Sequence, residues 1–227
     1  MSTKASTTDT SNIGENALAR FAKGPFDQFK EDAEFSPVDA IVEEILGRLG
    51  CLRRNQVVVD IISEDGNIVL QNSIKFLRDY DMRVFHITEA PKDMSEFYFK
   101  NLETEIVNDA SVEEILKKKN VPNEFPLMCI DTPTIDIPYS PFVMVTTVDT
   151  TVGPWHEGKH GFKETVESWA EKGYSCVAMV EKFLVFVRTD KTLKAGVKGV
   201  VLRNPQMLFD WKAHTTMVGF HTYKSRE

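Results

Sequence analysis

Gln56-Val57-Val58-Val59-Asp60-Ile61-Ile62 constrains what this chain can fold into more than any other stretch. Five of its seven residues are β-branched and apolar, which suits a pleated strand and disfavours a helix. A strand that is apolar at consecutive positions must be covered on both faces, the situation of a strand inside a parallel sheet. Parallel neighbours need crossover connections of about a dozen residues or more, usually helical. The remainder of the chain should therefore alternate short strands with helices.

It does. Ser36 can cap a helix, Pro37 suits its first position, and Asp39 completes a capping-box-like pattern. Val38, Ile41, Val42, Ile45, Leu46 and Leu49 then follow at helical spacing, and Gly50 stops the run. After the valine strand, Ser63-Glu64-Asp65-Gly66-Asn67 is a turn cluster and 72–80 reads as a helix. Arg83 to Ile87 is a second strand, 91–102 a helix, and Glu105-Ile106-Val107 a third strand. Ser111-Val112-Glu113-Glu114 opens a capped helix that runs into Lys117-Lys118-Lys119, cations that complement the helix dipole. Leu127 to Asp131 and Phe142 to Val145 are strands four and five, and 162–172 is a helix closed by Gly173. Ser175–Val180 and Phe183–Arg188 are separated only by Glu181-Lys182, so they must form an antiparallel hairpin. The pattern predicts an α/β fold with a doubly wound, mostly parallel seven-stranded sheet and a C-terminal antiparallel hairpin.

The 227 residues carry 27 Lys and Arg against 34 Asp and Glu, a net charge of −7, and 42% are apolar. That is enough for a sizeable core and excludes disorder over the whole length. An acidic chain with pI near 5.4 argues against nucleic acid held on a broad basic surface. No apolar run is long enough to span a bilayer. The N-terminus lacks an apolar signal segment, and Cys51, Cys129 and Cys176 form neither a disulfide framework nor a CxxC pair. A reducing, cytoplasmic setting is expected. The Ser/Thr-rich start contains Asp9 and Glu15, which argues only weakly against an organelle transit peptide.

Ligands of such sheets bind beyond the carboxyl ends of the strands, near the point where strand order reverses. Acids stand there: Asp60 with Glu64, Asp65 and Gly66 after strand one, Glu89 after strand two, Asp109 after strand three and Asp131 after strand four. They could hold a ribose diol (Glu89) or an adenine amine (Asp109), or face a substrate. Asp and Asn also close strands simply as turn formers and caps. His156-Glu157-Gly158-Lys159-His160 matches the His-Glu-x-x-His zinc pattern, whose chemistry needs a helical turn. Gly158 inside it, Gly161 after it and the absence of a third ligand at a recognisable spacing predict a loop, with no metal site. That loop would lie beyond strand five, where His156 or His160 could face a substrate. His86, within strand two, reads as a core histidine, and Cys129 as a small buried hydrophobe.

Taken in order, Asp60-Ile61-Ile62-Ser63-Glu64-Asp65-Gly66, Gln71-Asn72-Ser73 and Ile87-Thr88-Glu89 resemble the FkbM-type S-adenosylmethionine-dependent methyltransferases. Val121-Pro122, Leu127-Met128-Cys129-Ile130-Asp131, Lys172-Gly173-Tyr174 and Val185-Phe186-Val187-Arg188 continue the resemblance to about residue 190. The resemblance implies a methyltransferase-like Rossmann domain over 35–190. The small polar residues at the start read as a flexible polar tail and arm over 1–34, and the weakly patterned 191–227 reads as a C-terminal extension packing on that domain. The resemblance also implies S-adenosylmethionine as cofactor, with Asp60, Glu64, Asp65 and Gly66 at its methionine end, Glu89 at the ribose and Asp109 at the adenine. The reaction implied is methyl transfer to an oxygen of a small molecule or glycan, with Asp131, His156 or His160 as base. Ile62 stands where the family has Gly, and Pro133 where it has an acid. Those departures point to the alternative: a methyltransferase-fold protein without catalysis, serving a protein partner as a binding or structural subunit.

Overall fold

Seven strands form one sheet in the computed structural model, which describes residues 37–62, 70–88, 100–107, 111–131, 138–151, 153–158, 160–197 and 205–209. In chain order the elements are α1 (Pro37–Leu49), β1 (Val57–Ile62), α2 (Leu70–Tyr80), β2 (Arg83–Thr88) and β3 (Leu102–Ile106). There follow α3 (Val112–Lys118), β4 (Leu127–Ile130), β5 (Val143–Thr147), α4 (Phe162–Glu171), β6 (Tyr174–Val180) and β7 (Phe183–Arg188). The sheet order is β3-β2-β1-β4-β5-β7-β6. β1 pairs in parallel with β2 and β4, β2 with β3 and β4 with β5, whereas β7 runs antiparallel to both β5 and β6. The expected doubly wound sheet with its reversed hairpin is present.

All six residues of β1 are buried, as an apolar strand at the centre of a parallel sheet requires. Its two faces enter different layers. Val58 and Ile62 pack with Ile41, Val42, Ile45 and Leu46 of α1 and Phe76 of α2. Val57, Val59 and Ile61 pack on the other side with Ile115 and Leu116 of α3 and Val166 and Trp169 of α4. Helix ends follow local chemistry. Gly50 and Gly173, at φ +74 and +85, turn the chain after α1 and α4 in the left-handed region that glycine enters without strain. At α3 the Ser111 hydroxyl accepts from the Glu114 amide while the Glu114 carboxylate accepts from the Ser111 amide.

One boundary departs from the expectation. β3 begins at Leu102, a residue assigned above to the end of a helix, and the strand runs to Ile106. Glu103 and Glu105 alternate with Leu102, Thr104 and Ile106, and Lys119 bonds to both carboxylates, at 3.1 Å for Glu103. A charge-bearing edge strand has little apolar signal to announce it, and such charges also discourage edge-to-edge pairing. The remainder of that helix, 91–99, and the proposed cap Ser36 lie outside the described residues. At the other edge, Leu208 and Phe209 are buried, and Phe209 meets Phe162 edge-on at 5.4 Å.

Candidate functional site

Strand order reverses between β1 and β4: from β1 the chain proceeds outward through β2 to β3, from β4 through β5. The crevice defined by that reversal lies at the carboxyl ends, where Ile62 ends β1 and Asp131 follows β4. Asp131 is held there through its backbone. Its amide donates to the Ile61 carbonyl at 3.2 Å, one residue beyond the β1–β4 ladder, and its carbonyl accepts from the Thr147 hydroxyl at the end of β5. The side chain is half-buried, so a carboxylate leaves a fixed point on the rim of the crevice.

Ile62 and Asp60 face the α1–α2 layer. Ile62 is 1% exposed and belongs to the core with α1 and α2. Asp60 is fully buried, and its Oδ2 accepts from the hydroxyl of Ser73 on α2. Burial pushes its carboxyl up to about 7, against the opposing pull of Ser73 and the Cys129 thiol, with the Asp39 charge adding to the rise. Cys129 stands opposite Asp60 in the β1–β4 register. Burial first, and the Asp60 charge second, raise that thiol well above its ordinary range, which leaves it inert as a nucleophile.

His156 and His160 lie in the segment that leaves β5. The Asp149 amide donates to the His160 carbonyl at 2.8 Å, pinning the two ends of this loop together. His156 is exposed in a turn closed by its amide on the Gly153 carbonyl at 3.1 Å. His160 has φ +63, a left-handed conformation incompatible with one continuous helical turn from His156. Its amide donates to Glu164 at 2.9 Å, one turn into α4. Glu157 pairs with Lys163 at 3.2 Å. The zinc pattern is therefore a loop feature, and no group of three or more His, Cys, Asp or Glu suited to a metal occurs among the described residues.

Glu64, Asp65, Gly66, Glu89 and Asp109 lie outside the described residues. The structure thus places Asp60, Asp131, His156 and His160. It sets Asp60 within the core, Asp131 at the crevice and both histidines on the β5 loop. A cavity of about 450 Å³ lies against the outer side of α4, between Glu157, Lys163, Glu164, Glu167 and Glu171. Two polar residues not singled out as site candidates prove central to the core: Ser73, and Asp39, which is 1% exposed. Helical period held the signal for Asp39, because it shares a stripe with Val42 and Leu46 at three- and seven-residue spacing.

A seven-stranded sheet in this order, with β7 reversed between β5 and β6, is the methyltransferase-type α/β fold. No family model matches the chain, and no curated protein matches it. Among solved structures it is similar to a SAM-dependent methyltransferase from Aquifex aeolicus, at 12% identity and a TM-score of 0.41, over 76% of this chain and 96% of that one. It is also similar to geranyl diphosphate C-methyltransferase from Streptomyces coelicolor A3(2), at 11% identity and a TM-score of 0.39, over 72% and 84%. Likenesses this distant carry no argument about chemistry. The fold class rests on the sheet order itself, and among the described residues no helix is long and apolar enough to cross a membrane.

Proposed function

We propose that the chain is an S-adenosylmethionine-dependent methyltransferase-like protein whose ligand lies across the carboxyl ends of β1 and β4. The observation that carries this reading is the reversal of strand order beside Asp131, whose backbone is tied to β1 and β5. Glu64, Asp65 and Gly66 after β1, Glu89 after β2 and Asp109 after β3 would bind the methionine, ribose and adenine parts. The cofactor would supply an electrophilic methyl group. Asp131, or His156 or His160 from the β5 loop, would take the proton of an acceptor hydroxyl on a small molecule or glycan, with positioning contributing most of the rate. Asp60, expected at the methionine end, is buried in the core, where it accepts from Ser73 of α2.

The fit is uneven. Asp131 suits a ligand-facing rim, but Ile62 brings a buried, β-branched side chain to the end of β1. Glycine there would allow a tight turn and close approach of the backbone to a ligand. Ile62 favours a second reading, in which the fold is kept for binding a protein partner and methyl transfer is absent. Calorimetric titration of the full chain with S-adenosylmethionine and S-adenosylhomocysteine separates the two. The first reading expects saturable binding that Glu89→Ala abolishes and Asp131→Asn leaves intact. No heat at millimolar ligand overturns it in favour of the second.

A further inference from the structure

Five polar side chains converge inside the layer between the sheet and helices α1 and α2. His86, Asp60 and Cys129 stand side by side across β2, β1 and β4, in register. Parallel register puts all three on one face of the sheet. Asp39 reaches this layer from α1 and Ser73 from α2, and all five residues are 0% or 1% exposed. Their surroundings include Val58, Ile62, Val84, Leu127 and Val145.

This environment is ill-suited to an ionised Asp60. A buried carboxylate needs a cation or several donors. No Lys or Arg is buried among the described residues. The Ser73 hydroxyl donates to Oδ2, the Cys129 thiol is a weak donor, and Oδ1 has no hydrogen-bond partner. A second carboxyl, Asp39, adds like charge from above. A carboxylic acid, by contrast, is a neutral group that Ser73 can still bond.

We propose that Asp60 takes up a proton from solvent when the chain folds, making the α1–β1–α2 layer a pH-responsive element whose stability declines toward neutral pH. Asp39 from α1, Ser73 from α2, His86 from β2 and Cys129 from β4 are the groups that face it. The carboxyl is raised from 3.8 to about 7, so the folded chain binds this proton more tightly than the unfolded chain. The stabilisation is complete below the unfolded value and is lost as pH rises through the folded one. Within that window the folded-to-unfolded ratio falls about tenfold per pH unit. Asp79 and Asp190, held down to about 2 by Arg78 and Arg188 hydrogen bonds, act in the opposite sense and only at the acid end.

The test is urea unfolding of the full chain, without ligand, from about pH 5 to about pH 8.5. The wild-type midpoint should fall with rising pH, and Asp60→Asn, which keeps a neutral side chain of the same shape, should flatten the profile. Parallel profiles for the two overturn the proposal. So does a profile flattened by His86→Gln but not by Asp60→Asn, since the proton would then belong to the imidazole. Should Asp60→Asn not fold, infrared titration of the folded wild type decides. A carboxylic C=O band that disappears near pH ~7 supports the proposal, and a spectrum with no carboxyl titrating near neutrality overturns it. None of these readouts depends on the ligand proposed for the crevice.

Discussion

Beneath α1 and α2 the sheet is packed largely by aliphatic side chains, among which Asp39, Asp60, Ser73 and His86 are buried. On the opposite face, beneath α3 and α4, the core includes Phe85, Phe125, Phe162, Trp169, Tyr174 and Phe186. There Trp169 meets Tyr174 edge-on at 5.7 Å, and the Tyr174 hydroxyl donates to the Pro141 carbonyl at 2.9 Å. The aromatic face gains stability from area and ring geometry, neither of which titrates near neutrality. Its partner owes part of its stability to a proton. The same seven strands thus support one face insensitive to pH and one that responds to it, because β1 places its acid on one side only.

Substitutions can break or sharpen that contrast. The largest loss is expected for Phe186→Ala, which empties a fully buried site beside Trp169 on the aromatic face. It should cost about 3–5 kcal/mol by denaturant unfolding, with the same penalty at acidic and neutral pH. On the other face, Asp60→Asn should gain relative to wild type by a few kcal/mol between acidic pH and pH above ~7. An equal pH dependence in both proteins would erase the distinction between the faces. Ser73→Ala removes the hydroxyl donor to Asp60 Oδ2 and should cost about 1–3 kcal/mol. Its penalty should grow as Asp60 ionises, and a pH-independent value would contradict the pairing. The smallest effect is expected for Gly173→Ala beneath the aromatic face. No atom crowds that site, but φ is +85, so strain alone should cost about 1 kcal/mol at every pH.

The fold was largely legible along the chain because its signals are local. The Ser111–Glu114 box, the glycines after α1 and α4, and the two-residue gap between β6 and β7 each act within a few residues. The start of β3 is not legible for the complementary reason: its charged residues are explained by Arg83 on β2 and Lys119 after α3, not by its own pattern. The loop character of His156, Glu157, Gly158 and His160 is legible from Gly158 and Gly161, and these residues are non-helical in the structure. The pairing of Asp60 with Ser73 spans 13 residues, and the nearness of Asp39 depends on how α1 packs; neither follows from a local motif.

By itself the sequence determined the alternation of strands and helices, the reversed hairpin and the double-sided burial of β1. These follow from side-chain periodicity and turn chemistry, which are properties of neighbouring residues. Only the tertiary structure decided that strand order reverses between β1 and β4, that Asp131 stands at the resulting crevice, and that Asp60 faces away into the α1–α2 layer. A carboxyl group's environment is set by the elements brought around it, and those elements are distant in the chain. The same residue type therefore became a rim group after β4 and a buried proton carrier within β1.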